Sequence, residues 1–269
     1  MALTSGKEQN FLGQRWIPLL FKIAPNYYKR ALALRLLAIS PHYFIHLRSS
    51  YYPETMSHSK RLEAEYRRNA LSRKAVCDDI LKPHLRPQMD VLDFGCGPGF
   101  LAREVAKHVH HVTGVDISCG TISCAKAFDN PPNITYCENN GNDLSMLPDE
   151  QFNLIYSFEV MQHLSEQLFA GFLREFFRVL KSNGKCVCNI LLNEGPFAPM
   201  QPTNKRRSLI ARRVEKAWKL RHVSRQADKV RRQLSEVGFN EPVILPTRQV
   251  SDCAGDEMAR RHLIVFDKP

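Results

Sequence analysis

Nine residues, Val91 to Gly99 (Val-Leu-Asp-Phe-Gly-Cys-Gly-Pro-Gly), constrain this chain more than any other segment. They read as an apolar strand that breaks into a glycine-rich turn. Glycines at 95, 97 and 99 permit positive φ and remove side chains, so a bound molecule can approach main-chain amides at the mouth of the helix that follows. Asp93, on the last residues of the strand, selects among ligands. It repels an anionic pyrophosphate, whereas the ammonium of an amino-acid moiety is attracted and can be held by a charge-assisted hydrogen bond.

A second reading of the same residues exists. Gly97-Pro98-Gly99-Phe100-Leu101-Ala102 fits the G-x-G-x-x-A string of dinucleotide-binding folds, with Asp116 at a suitable distance for a ribose. Pro98 inside the turn and Asp93 ahead of it favour instead a D-x-G-x-G-x-G pattern, which resembles motif I of the class I S-adenosylmethionine-dependent methyltransferases. The resemblance continues for about 100 residues beyond the turn.

That resemblance implies an α/β fold: a Rossmann-like, seven-stranded, mostly parallel sheet of order 3-2-1-4-5-7-6 flanked by helices, preceded by an N-terminal helical extension. The strands are read at 91–94, His111–Asp116, Asn133–Glu138, Phe152–Ser157, Cys186–Leu192, Pro242–Leu245 and Leu263–Phe266, with a helix closing over 179–185. It also implies S-adenosyl-L-methionine as methyl donor. Asp93, Gly95, Gly97 and Gly99 form its turn, Asp116 with Ile117 takes the ribose, Asn142, Asp143 and Leu144 lie at the adenine, and Ser157 ends the fourth strand beside it.

Three positions depart from the family pattern. Asn153 opens the fourth strand where Asp is usual, Ser182-Asn183-Gly184 replaces a Pro-Gly-Gly turn, and Asn142-Asp143 carries its acid one place late. Only the adenine contact is affected, with Asn142 as the alternative to Asp143.

Charge divides the chain. Residues 1–89 hold 15 basic against 6 acidic residues, 90–192 hold 7 against 12, 193–232 hold 12 against 3, and 233–269 hold 4 against 6. The basic excess therefore lies outside the strand-rich core, in an extension and an insertion. Solvated helix faces account for such runs, and so does an acidic partner: an anionic substrate, a lipid surface or RNA. The expected organisation is an extension or lid over 1–82 and a catalytic domain over 83–269 carrying a basic helical insertion at 193–232.

Within the extension, 27–39 reads as a helix apolar almost all round and 57–82 as a second helix leading to Pro83. The apolar runs are too short to span a bilayer, and no signal peptide follows Lys7 and Glu8. Basic and aromatic residues across 11–52 are compatible with peripheral membrane contact, or with packing on the core. In the insertion, Leu209 to Arg221 has helical spacing, and a stripe from Val223 to Val237 ends at Gly238. The eight cysteines contain no C-x-x-C pair and read as small hydrophobes in a reducing cytoplasm.

Methyl transfer from a sulfonium needs a positioned nucleophile and no acid for its leaving group. A base is needed only where the acceptor carries a proton that must go. Glu159 and His163 are four residues apart after the fourth strand and are the candidate catalytic pair. The segment resembles an E-x-x-E-H pattern that holds a divalent ion in some O-methyltransferases, but Gln162 replaces the second carboxylate, so no metal is expected. His163 is open to structural, base and ligand roles. The N-P-P-[YF] string and the Pro-Cys pair of nucleobase enzymes are missing. The expected activity is methylation of an O or N atom of a small metabolite, and the basic excess is compatible with an anionic one. Alternatives are an RNA-modifying enzyme and a non-catalytic adenosylmethionine-binding protein.

Overall fold

The computed structural model describes residues 11–40, 43–48, 51–193, 223–247 and 261–269. Its strands are β1 (Asp90–Phe94), β2 (His111–Asp116), β3 (Ile134–Glu138), β4 (Phe152–Ser157), β5 (Leu180–Ile190), β6 (Val243–Pro246) and β7 (His262–Asp267). Its helices are α1 (Ile17–Ile23), α2 (Asn26–Ile39), α3 (His58–Val76), α4 (Phe100–Val105), α5 (Cys119–Lys126), α6 (Glu166–Val179) and α7 (Ala227–Val237). Seven strands form one sheet in the order β3-β2-β1-β4-β5-β7-β6, as the sequence implied. The chain divides into two units, Met1–Met146 and Leu147–Pro269.

In the first unit β1 and β3 flank β2, all parallel, with Asp93 opposite Gly114 and Asp116 opposite Glu138. Parallel strands covered on both faces are buried along most of their length, and four residues each of β1 and β2 are buried, Asp93 and Thr113 being the polar ones among them. The extension belongs to this unit. Leu12, Ile17, Phe21, Leu34, Leu37, Phe44 and Leu62 share one apolar cluster with Phe100 of α4 and with Cys124 and Phe128 of the α5 segment. Helix α2 begins and ends within a residue of its predicted bounds. Helix α3 stops earlier than predicted, at Val76, where the chain widens into a π-turn over Cys77–Leu81 before Pro83.

In the second unit β5 runs parallel to β4 and antiparallel to β7, and β6 is antiparallel to β7. Two boundaries differ from the sequence reading. Helix α6 ends at Val179, where the sequence closes it, but β5, expected from Cys186, already starts at Leu180 and absorbs Ser182-Asn183-Gly184 as a bulge: Phe152 pairs with Leu180, yet Leu154 pairs with Lys185. Asn183 takes φ 61° there, and Lys268 closes the turn by donating its amide to Gly184 O at 2.9 Å. The stripe predicted from Val223 becomes helical only at Ala227 because Arg225 is spent on a β-bridge to Leu192. Ser165 caps α6 as its sequence suggests, accepting from the Leu168 amide at 3.2 Å. The helix predicted over 209–221, the basic stretch around it and Cys253 lie outside the described residues.

No helix among the described residues is long and apolar enough to cross a membrane. All seven described cysteines are free, and six are buried, in keeping with their use as small hydrophobes.

Candidate functional site

The turn after β1 is built as its sequence requires. Gly95, Gly97 and Gly99 have φ of 78°, 54° and 75°, and the Gly95 and Cys96 amides both donate to Val115 O, at 2.8 and 3.0 Å. Gly99 is the N-cap of α4. A Cβ on Gly99 would lie 2.2 Å from the Tyr136 hydroxyl, which itself donates to Asn130 Oδ1 at 3.1 Å. Below the turn, Arg103 is buried, donates to Pro98 O at 3.0 Å and lies over the rings of Phe100 and Phe128. The loop therefore has a rigid floor.

Asp93 is buried at 3 % exposure near the end of β1. Asp116 ends β2 and accepts from two amides: Gly97 N to Oδ2 at 3.0 Å and Ser118 N to Oδ1 at 2.9 Å. Burial still pushes its pKa up to about 6, against the lowering effect of those two bonds. A carboxylate in this state gains from further hydrogen bonds to its charged form. Ile117 is half-buried beside it, 3.5 Å from the position a Cβ on Gly141 would take.

The Asn139–Ser145 loop is held by its own side chains. Asn140 Oδ1 accepts from the amides of Asn142 and Asp143 at 2.7 and 3.0 Å. Asp143 Oδ1 is taken by Asn140 Nδ2 and by the Ser145 amide and hydroxyl. Leu144 is fully buried and Asn142 exposed. The Asp143 side chain thus shapes the loop.

Sequence reading did not single out Tyr43. Its ring carbon Cε1 and its hydroxyl both stand 3.4 Å from where a Gly97 Cβ would be. The hydroxyl is hydrogen-bonded to Thr121, and burial together with the nearby Asp116 charge raises its pKa. Thr121 in turn donates to Ser118 Oγ at 2.8 Å. One hydrogen-bonded chain therefore joins the N-terminal extension to the residue beside Asp116. A lone tyrosine 54 residues before the glycine turn carries no local signal; only the packing of the extension reveals it.

The second unit contains Ser157, Glu159 and His163. Ser157 is fully buried at the end of β4, opposite Cys188 of β5. Glu159 has φ 63°, a conformation that non-glycine residues adopt at a cost. Its amide donates to Asn189 Oδ1 at 2.7 Å. Its carboxylate accepts from Asn189 Nδ2 at 2.6 Å, from Gln162 Nε2 at 3.0 Å and from the Arg261 guanidinium at 3.3 Å. Gln162 Nε2 also stands 3.5 Å from His163 Nε2, so Gln162 separates the two predicted partners. Glu159 is occupied in holding structure.

Arg225 is the other residue missed in the sequence, and it fixes this segment. Its side chain is buried, donates to Met161 O at 3.1 Å and Leu164 O at 2.7 Å, pairs with Glu166 at 3.1 Å, and lies 4.1 Å over the Phe169 ring. Two carbonyls flanking His163 are thereby held by one planar cation.

These residues do not fit a divalent ion. Both Glu159 oxygens already accept protein donors, Arg261 supplies the countercharge, and Gln162 offers no second carboxylate. Among the described residues no group of three or more His, Cys, Asp or Glu side chains is placed to hold a metal. The first unit does fit a ligand carrying an ammonium and a ribose: a buried carboxylate, a turn of three positive-φ glycines, and a second carboxylate that gains from added donors.

Comparison with known proteins agrees. Residues 92–188 match the family described as a methyltransferase domain. A probable S-adenosylmethionine-dependent methyltransferase of Mycolicibacterium smegmatis is 31% identical over 121 residues, 44% of this chain and 45% of that protein. The chain therefore spans about half the length of that relative. A ubiquinone biosynthesis O-methyltransferase of Maricaulis maris is 26% identical over 212 residues, 73% of this chain and 79% of its own. The crystal structure of an S-adenosylmethionine-dependent methyltransferase from Mesorhizobium loti superposes with a TM-score of 0.55 at 19% identity, covering 72% of this chain and 98% of that one.

Proposed function

We propose, from the premise that residues 92–188 are a methyltransferase domain of the class I S-adenosylmethionine-dependent family, that this chain methylates an oxygen or nitrogen atom of a small metabolite. The observation that carries the reading is the Asp116 carboxylate, gripped by the Gly97 and Ser118 amides beside the glycine turn and still raised in pKa. Asp93 would hold the ammonium of the methionyl end, Asp116 the ribose hydroxyls, and Tyr43 would close over Gly97. The Asn142–Leu144 loop would border the adenine through its backbone and the Leu144 side chain.

When bound, S-adenosylmethionine supplies a methyl group on a sulfonium whose sulfide leaves neutral, so no protein acid is required. The protein's task is to position the acceptor and exclude water, which can supply about 7–11 kcal/mol of the barrier. The rigid Met161–Leu164 turn, pinned by Arg225, suits that task. It would present His163 to an acceptor, with Glu159 holding the turn through Gln162. The O-methyltransferase named among the relatives supports an oxygen acceptor. In this reading residues 1–82 are a lid-like extension of a domain over 83–269, and the protein works in the cytoplasm.

A direct test adds the purified chain and a methyl-labelled donor to a cell extract with and without ribonuclease. Label in a small-molecule fraction, insensitive to the nuclease, is the expected result. Nuclease-sensitive label in RNA would replace the acceptor class, and no labelled product would leave a binding protein without turnover.

A further inference from the structure

The N-terminal extension turns an apolar stripe toward solvent. Trp16, the N-cap of α1, and Leu19 and Ile23 within it recur at helical spacing and are 47%, 55% and 79% exposed, and Tyr27 at the start of α2 is 88% exposed. On the opposite side of α1, Ile17 and Phe21 are buried in the core cluster. The helix is therefore already anchored, and its outward stripe adds nothing to folding. Large apolar side chains grouped on a surface mark an interaction face.

The charge on this segment identifies the occupant. Residues 11–40 contain five basic residues, Arg15, Lys22, Lys29, Arg30 and Arg35, and no acidic one. Arg30 is paired with Glu63; Arg15 and Lys22 are exposed and adjoin the stripe in sequence, at positions 15 and 22 beside 16, 19 and 23. A second copy would bring the same positive charge against it. A surface that accepts indole, phenol and aliphatic side chains at its boundary and offers negative charge above them is an anionic bilayer.

We propose that the outward face of α1, together with the exposed Tyr27 that follows it in the chain, docks this protein on anionic lipid surfaces. Trp16, Leu19 and Ile23 enter the headgroup boundary, and Arg15 and Lys22 meet lipid phosphates. Because α1 has only seven residues, this helix lies on the bilayer and does not span it. Docking of this kind suits an enzyme whose acceptor is dissolved in lipid, and it stands whether or not the methyltransferase reading does.

The test is co-sedimentation of the full chain with vesicles of phosphatidylcholine, with and without phosphatidylglycerol. Binding to the anionic vesicles that weakens in added salt is expected. Ile23→Asp and Leu19→Asp, at positions too exposed to disturb packing, should each abolish it while leaving the thermal midpoint unchanged. Lys22→Ala should reduce the partition coefficient roughly fivefold. A blue shift of emission on binding should vanish in Trp16→Phe. No binding by the wild type, or full binding by both aspartate variants, overturns the proposal. Self-association without vesicles that the same variants abolish assigns the face to a second copy and overturns it equally.

Discussion

Replacing Asp116 with Asn separates binding from folding, because the structure puts opposing effects on the same carboxylate. Its pKa is about 6 in the fold against an ordinary 3.8, since burial outweighs the two amide donors. The folded chain thus binds this proton more tightly than the unfolded chain. The stability it contributes is present below the ordinary value and is lost as pH rises toward about 6. At neutral pH the ionised group then costs the native state roughly 3 kcal/mol. Asparagine removes that cost but exchanges one acceptor oxygen for an amino group, which sets a donor against Gly97 N or Ser118 N and costs about 1–3 kcal/mol. The two nearly offset, so denaturant unfolding should show a change of no more than about 2 kcal/mol. Cofactor binding has no such compensation. Losing a charged acceptor costs about 1.5–3 kcal/mol per hydrogen bond, so the affinity for S-adenosylhomocysteine should fall roughly 100-fold. Wild-type affinity should also weaken about tenfold per pH unit below the Asp116 pKa. Calorimetry from about pH 8 to about pH 5 reads both effects. A flat pH dependence, or an unchanged affinity in Asp116→Asn, would refute the assignment of Asp116 to the ribose.

Gly99→Ala should destabilise the fold by about 2–3 kcal/mol and abolish cofactor binding. Its methyl would fall 2.2 Å from the Tyr136 hydroxyl at φ 75°, and urea unfolding would show it. Arg225→Met should cost about 2–4 kcal/mol by orphaning the Met161 and Leu164 carbonyls, and Arg225→Lys should recover only part of this. A chelator should leave turnover and cofactor affinity unchanged, because Glu159 is engaged by Asn189, Gln162 and Arg261; restoration of a lost rate by magnesium would contradict that. His163→Ala should retain most of its turnover if positioning alone drives transfer. A loss of about 10²- to 10⁴-fold, with a rate falling on the acid side, would make His163 a base.

The sheet order was legible because each strand is bounded by a strong local signal: the turn at Gly95–Gly99, the acid at Asp116, the capping Ser165 and the stop at Gly238. What was not legible depended on distance. Gly97, Asp116 and their two hydrogen bonds follow from a motif, but Tyr43 meets Gly97 only because Phe44 and α2 pack beside α5. Glu159 and His163 were found from spacing, yet the Glu159 carboxylate is taken up by Asn189 of β5 and by Arg261, the residue just before β7, both far from it in sequence. Arg225 looked like one more basic residue of a charge run. Its use as a bridge to Leu192 also explains why α7 begins later than its apolar stripe. In β5, the family's usual turn residues were replaced by Ser182-Asn183-Gly184, and the bulge that absorbs them has no signature beyond Gly184.

The most direct test of the central reading is calorimetric titration of the full chain with S-adenosylmethionine and, separately, with NAD. Asp93 favours an ammonium and opposes a pyrophosphate, so S-adenosylmethionine should bind with an affinity that falls in Asp93→Asn, and NAD should give no heat. Binding of NAD without binding of S-adenosylmethionine would contradict the account.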